Sequence, residues 1–160
     1  MKTAAFLCRA VALFGGALLL VVMMLVVVSV IGRAFSGMGL GPVPGDFELV
    51  EMFTAVAIFC FLPWCQLERG HVAVDILAGP LGPRRDAALA VLFNLGMTAV
   101  AAFILWRLWA GMQDKITYSE TTFILQLPVW WGYAACLPFA GLFIVISALT
   151  VWRSLKEALG

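Results

Sequence analysis

The sequence predicts an all-α integral membrane protein: four transmembrane helices, with a short cytoplasmic interfacial helix between the second and third. Three observations carry this. Of 160 residues, 64% are hydrophobic and 12% charged, which is about half the charge of a soluble domain. The apolar residues gather into long uncharged runs. All six tryptophans, Trp64, Trp106, Trp109, Trp130, Trp131 and Trp152, fall near the ends of those runs, where an indole can keep its N–H in the headgroup layer. The chain reads as a single membrane domain, 1–160, with spans over about 10–32, 47–67, 86–107 and 128–152 and an interfacial helix over about 71–79.

The first run, Ala10 to Gly32, is 23 residues without a charge. That suffices to cross the bilayer, which needs about 20 residues at about 1.5 Å each. Lys2 and Arg9 ahead of it suggest a signal peptide, but the run exceeds the usual h-region and no Ala-x-Ala site follows, so the helix is expected to be retained. The following loop, GMGLGPVPGDFELVE, carries Gly37, Gly39, Gly41, Pro42, Pro44 and Gly45. It predicts a compact, turn-rich connection. Without a Gly-Lys-Ser/Thr ending it is no phosphate cradle. Asp46 is the expected N-cap of the second helix, with Glu48 in its first turn.

The second run, Met52 to Leu67, has only 16 residues and covers about 24 Å. The span therefore begins near Phe47, which puts Glu48 and Glu51 at headgroup level on one helical face. Beyond it, in QLERGHVAVDILAGPLGPRRDAALA, Val72, Ile76 and Leu77 share a face opposite His71 and Asp75. That amphipathic pattern gives the interfacial helix, ended by Pro80 and Pro83. The third run, Ala87 to Trp106, is 20 residues. The fourth, Thr121 to Trp152, is 32, enough for an apolar approach segment and a helix with Pro128 in its first turn. Pro63 and Pro138 inside spans two and four are expected to kink or unwind them.

Positive charge sets the orientation. Lys2, Arg9, Arg69, Arg84, Arg85, Arg153 and Lys156 lie on one side, and Arg33, Arg107 and Lys115 on the other. The richer side is cytoplasmic, so both termini and the middle loop face the cytoplasm.

The residues exclude several activities. A single histidine, His71, cannot bis-ligate a haem, and no cluster has metal-ligand spacing. Cys8, Cys60, Cys65 and Cys136 avoid the outward loops, so they read as packing residues. That argues against the enzyme alternative, a quinone-linked thiol oxidase. No charge lies near the middle of any span, which argues against a self-sufficient small homodimeric transporter. A net charge of +1 without a basic stripe gives no sign of nucleic-acid binding. The polar residues within spans, Ser29, Thr54, Asn94, Thr98 and Ser147, read as packing. Asn94 is expected to bond across helices for about 0.6–2 kcal/mol, and Thr98 with Ala102 forms a small-xxx-small step for close approach. No catalytic, cofactor-binding or metal-binding residue is expected. The chain reads as a subunit.

Three segments carry a family resemblance: Glu48-Leu49 before the second span, Arg69-Gly70-His71-Val72 with Val74-Asp75 after it, and Leu127-Pro128 with Trp130 opening the last. On these the chain resembles the small membrane subunit of tripartite ATP-independent periplasmic (TRAP) transporters, the DctQ type, over nearly its whole length. The resemblance implies a non-catalytic permease subunit in the bacterial inner membrane. It would scaffold a large membrane subunit that takes up an organic anion, a carboxylate, from a periplasmic substrate-binding protein at the expense of an ion gradient. It further implies anchoring roles, toward lipid headgroups or the partner, for Glu48, Glu51, Arg69, His71, Asp75, Trp130 and Trp131.

Overall fold

A computed structural model describes residues 2–68 and 83–159. Four helices dominate them: α1 (Lys2–Ala34), α2 (Asp46–Leu67), α3 (Pro83–Thr117) and α4 (Trp130–Leu159). All four are long and apolar enough to cross a membrane. That is the all-helical architecture expected, since a helix satisfies its backbone polar groups internally where no water can. The interfacial helix expected over 71–79, with Arg69, His71 and Asp75, lies outside the described residues.

Helix α1 is hydrophobic around its whole circumference, yet its buried residues are Cys8, Gly15, Val22 and Ser29. They recur at every seventh position, a single seam of the kind that keeps one stripe against a neighbour. The seam lies on α2. Gly15 makes the close approach possible: a Cβ there would stand 2.7 Å from the Cys60 Cβ and 3.2 Å from the Ala57 carbonyl oxygen. Packing then runs from α2 to α4 and from α4 to α3. In α4 the buried positions Cys136, Ala140, Phe143, Ser147, Thr150 and Ser154 alternate steps of four and three, and Ile146 is buried beside them, a broad seam suited to a central helix. Cys60, Val56 and Cys136 form the shared core, flanked by Val11, Leu18, Phe59, Leu108 and Phe139. Phe14 stacks on Phe139 at 6.3 Å. The flanking helices α1 and α3 leave Leu20, Met24 and Val28, and Leu92, Val100 and Phe103, exposed, as suits surfaces that face lipid or another membrane protein.

Five local expectations change. Pro63 and Pro138 sit inside α2 and α4, and neither unwinds its helix, which stays α-helical through the proline. Helix α3 carries on beyond Arg107 to Thr117, about 15 Å past the expected end of its span, because charge ends an apolar run without ending a helix. Pro128 precedes α4. It pairs with Thr121 in a β-bridge, the Val129 N–H reaches the Glu120 carbonyl at 3.0 Å, and the Trp131 N–H reaches the Pro128 carbonyl at 3.1 Å. The N-cap of α2 is Gly45, at φ 73°, where a Cβ would also strike Leu125; Asp46 is the first helical residue. Small-residue packing on α3 falls to Ala101, which is fully buried, while Ala102 is exposed.

Candidate functional site

Polar side chains gather at both ends of the helices. At the end carrying the 35–45 and 118–129 loops, Ser29 in the α1 seam donates its hydroxyl to Asp46 Oδ2 and accepts the Val43 N–H at 3.3 Å. Arg33, one helical turn on, approaches the same carboxylate oxygen at 3.6 Å. Asp46 Oδ1 accepts the Phe47 N–H at 2.9 Å. The carboxylate thus ties α1, the first loop and the start of α2 together. Charge-assisted bonds are the stronger kind, and from the first helical position this carboxylate gives one oxygen to a first-turn N–H of α2 and the other to α1.

Glu48 does the corresponding work for the second loop. Its Oε1 accepts the Ile124 N–H at 2.5 Å and its Oε2 the Leu125 N–H at 2.9 Å. The loop is further closed by Thr121–Gln126 and Leu127–Thr122 bonds and by a Lys115–Glu120 ion pair at 2.5 Å. Its tip presents Phe123, 92% exposed, beside the exposed Ile124.

Between α2, α3 and α4 at this end lies a cleft of about 480 Å³. Glu48 and Glu51 stand at its mouth, and Met52, Phe59, Leu108 and Tyr133 line it down to Cys136. The expected shared face of Glu48 and Glu51 is therefore present, with different surroundings for each. Glu48 is held by backbone N–H groups; Glu51 is exposed and has no partner among the described residues. Trp130 is half-buried and Trp131 exposed, their rings edge to face at 6.3 Å.

At the opposite end a buried network joins α2, α3 and α4. Gln66 Nε2 donates to Asn94 Oδ1 at 3.1 Å and to Thr150 Oγ1 at 3.0 Å. Asn94 Nδ2 donates to Ser154 Oγ at 2.8 Å, and Thr150 donates to the Ser147 carbonyl at 2.7 Å. Thr98 returns its hydroxyl to the Asn94 carbonyl at 2.8 Å. Gln66 Oε1 and Ser147 Oγ are buried without a partner among the described residues. Asn94 bonds across helices as expected. Gln66, Thr150 and Ser154 were not singled out by the sequence, although Ser147, Thr150 and Ser154 at helical spacing, in an otherwise apolar run, are a readable stripe. Among the described residues no group of His, Cys, Asp and Glu could hold a metal ion, and all four cysteines are free thiols.

These features define a multi-pass membrane protein whose polar interior is tied up in helix-to-helix contacts. The profile of the family described as tripartite ATP-independent periplasmic transporters, DctQ component, matches residues 22–157. No curated protein and no solved structure matches the chain. The chain belongs to the DctQ family, and is the small membrane component of a TRAP-type transporter; the family implies association with a large membrane subunit and a periplasmic binding protein.

Proposed function

We propose that the chain is a non-catalytic scaffold. It would work as one membrane domain that holds the stationary part of the large membrane subunit while that subunit moves an organic anion, a carboxylate, delivered by a periplasmic binding protein and driven by an ion gradient. In this reading it resides in the bacterial inner membrane with both termini in the cytoplasm and its two glycine- and aromatic-bearing loops outside.

The observation that carries this is the way the polar side chains are used. A path for an anion or ion through a membrane protein needs intramembrane charges or broken helices lining a cavity. Here the four apolar runs contain no Asp, Glu, Lys or Arg. Of the five buried polar residues among those described, Ser29, Gln66, Thr150 and Ser154 bond to another helix or to a loop, and Ser147 is the exception. Such bonds fix helices against each other, which is what a stationary element requires. Glu48, Glu51, Trp130 and Trp131 then anchor the outer end. Arg69, His71 and Asp75 anchor the cytoplasmic side to headgroups or to the large subunit.

The test is reconstitution. Proteoliposomes with this chain, its large membrane partner and the binding protein should accumulate a carboxylate down an imposed sodium gradient. Vesicles containing this chain alone should accumulate none. Uptake by the chain alone would refute the scaffold reading in favour of a self-sufficient transporter, and quinone-dependent thiol oxidation by the purified chain would refute it in favour of an enzyme.

A further inference from the structure

The cleft between α2, α3 and α4 is a built concavity within this chain, and scaffolding gives it no task. Its volume of about 480 Å³ falls in the range of about 300–1,000 Å³ typical of ligand sites, which pair apolar walls with a few placed polar groups. From Glu48 to Phe59 it follows α2 for eleven residues, about 16 Å of helix. The walls are Met52, Phe59, Leu108 and Tyr133; the polar groups are confined to one end. An occupant must therefore be long and apolar with a polar head at the loop end, where α2 emerges from its apolar run.

The charge at the mouth selects the head. Glu48 and Glu51 are both acidic, and no lysine or arginine is among the lining residues. Of the described cations on α3, Arg107, next to the lining Leu108, lies over the Trp106 ring at 5.8 Å, and Lys115 is occupied by Glu120 at 2.5 Å. Both oxygens of Glu48 already accept backbone N–H groups, which leaves Glu51, exposed and unpaired among the described residues, as the group free to meet a cation. We infer that this cleft holds a phospholipid bearing an ammonium headgroup, with one acyl chain between α2 and α4 and the ammonium at Glu51. An acyl chain gains little by moving from bilayer to cleft, since both are equally apolar. Selection consequently rests on the head, and an anionic phospholipid would be repelled by the two carboxylates.

The experiment uses the full-length protein, with whatever subunit accompanies it, in nanodiscs of equimolar dioleoyl phosphatidylethanolamine and phosphatidylglycerol. Lipid retained through mild detergent extraction is then quantified by mass spectrometry. The ethanolamine lipid should exceed the glycerol lipid by about threefold, the size of a partly screened ion pair. Glu51→Gln should return the ratio to that of the bilayer, while total retained lipid falls little. Gly132→Leu, and independently Ala55→Phe, fill the cleft and should remove the retained lipid with helicity by circular dichroism unchanged. Equal retention of both lipids by the unaltered protein would overturn the proposal, as would an unchanged ratio in Glu51→Gln. If the filling variants release a co-purified membrane subunit but keep the lipid ratio, the cleft receives that protein instead and the proposal fails.

Discussion

At the loop end of the molecule, carboxylates do the bridging: Asp46 reaches Ser29 and Arg33, and Glu48 reaches two backbone N–H groups of the second loop. At the other end Gln66, Asn94, Thr150 and Ser154 meet with no charge among them. The difference follows from burial: Gln66 and Ser154 are enclosed between helices, whereas Asp46 and Arg33 keep contact with the surroundings. Carboxylates sit where helices emerge and water screens them, so their partners can be flexible loops and a half-exposed arginine. Deep in an apolar bundle an ionised group is costly, whereas an amide with two donors and two acceptor sites can join three helices. The loop end thus fixes loops onto helices, and the other end fixes helices onto one another.

Acid should separate the two most strongly. Protonation of Asp46 and Glu48 in acid removes the charged acceptors, while Gln66 and Asn94 have no proton to gain or lose. Hydrogen exchange at Ile124 and Leu125 should rise to open-loop rates, with protection around Gln66 retained. Glu48→Ala at neutral pH should reproduce the same local opening. Loss of protection at both ends together would erase the distinction. High salt offers a gentler version: the Arg33–Asp46 and Lys115–Glu120 pairs weaken, and the neutral network does not respond.

Next in size is Gln66→Leu. It frees Asn94 Oδ1 and Thr150 Oγ1 in a dry interior, and should destabilise the chain by about 1–2 kcal/mol, the upper range for interhelical bonds in membranes. Thermal unfolding in detergent reads this. Asn94→Leu should cost a similar amount by stranding Ser154, and the double variant should cost less than the sum, since the two residues share one network. Strict additivity would mean that Gln66 and Asn94 act independently.

The way each end was legible in the sequence follows the same division. Uncharged runs and tryptophans at their ends locate four helices because a bilayer imposes length and end chemistry on a helix. They locate its apolar portion only, so the expected third span ends at Arg107 while the helix runs ten residues further. Glu48 and Glu51 could be placed on one face by spacing, but not the loop that Glu48 holds, since Ile124 lies 76 residues away. Asp46 before a helix fits an N-cap equally well as a cross-helix tether. Only the position of Ser29 on the neighbouring helix decides between them. Gln66 escaped notice because a neutral amide near the end of an apolar run looks like any interfacial residue until Asn94 and Thr150 are seen opposite it. Pairings between helices depend on rotation and order, α2 on α4 on α3, which no single helix records.

The smallest effect sharpens the comparison furthest. Ser147 Oγ and Gln66 Oε1 are buried without partners among the described residues, so the network is one in which not every polar atom is used. A buried unpaired hydroxyl contributes an uncompensated desolvation cost. Ser147→Ala removes that atom while sparing the Ser147 carbonyl, the acceptor for Thr150, and should leave stability unchanged or raise it by up to about 1 kcal/mol. Gln66→Glu is the contrasting change: it keeps the shape and swaps an amide for a carboxylic acid, which at neutral pH must either ionise in the apolar interior or carry a proton that Asn94 Oδ1 can accept. Its stability should therefore recover as pH falls, the reverse of the loop end, where acid loosens the contacts. A Ser147→Ala variant that unfolds more readily would show that Oγ has a partner after all, such as a bound water joining it to Gln66 Oε1, which a buried polar site can retain.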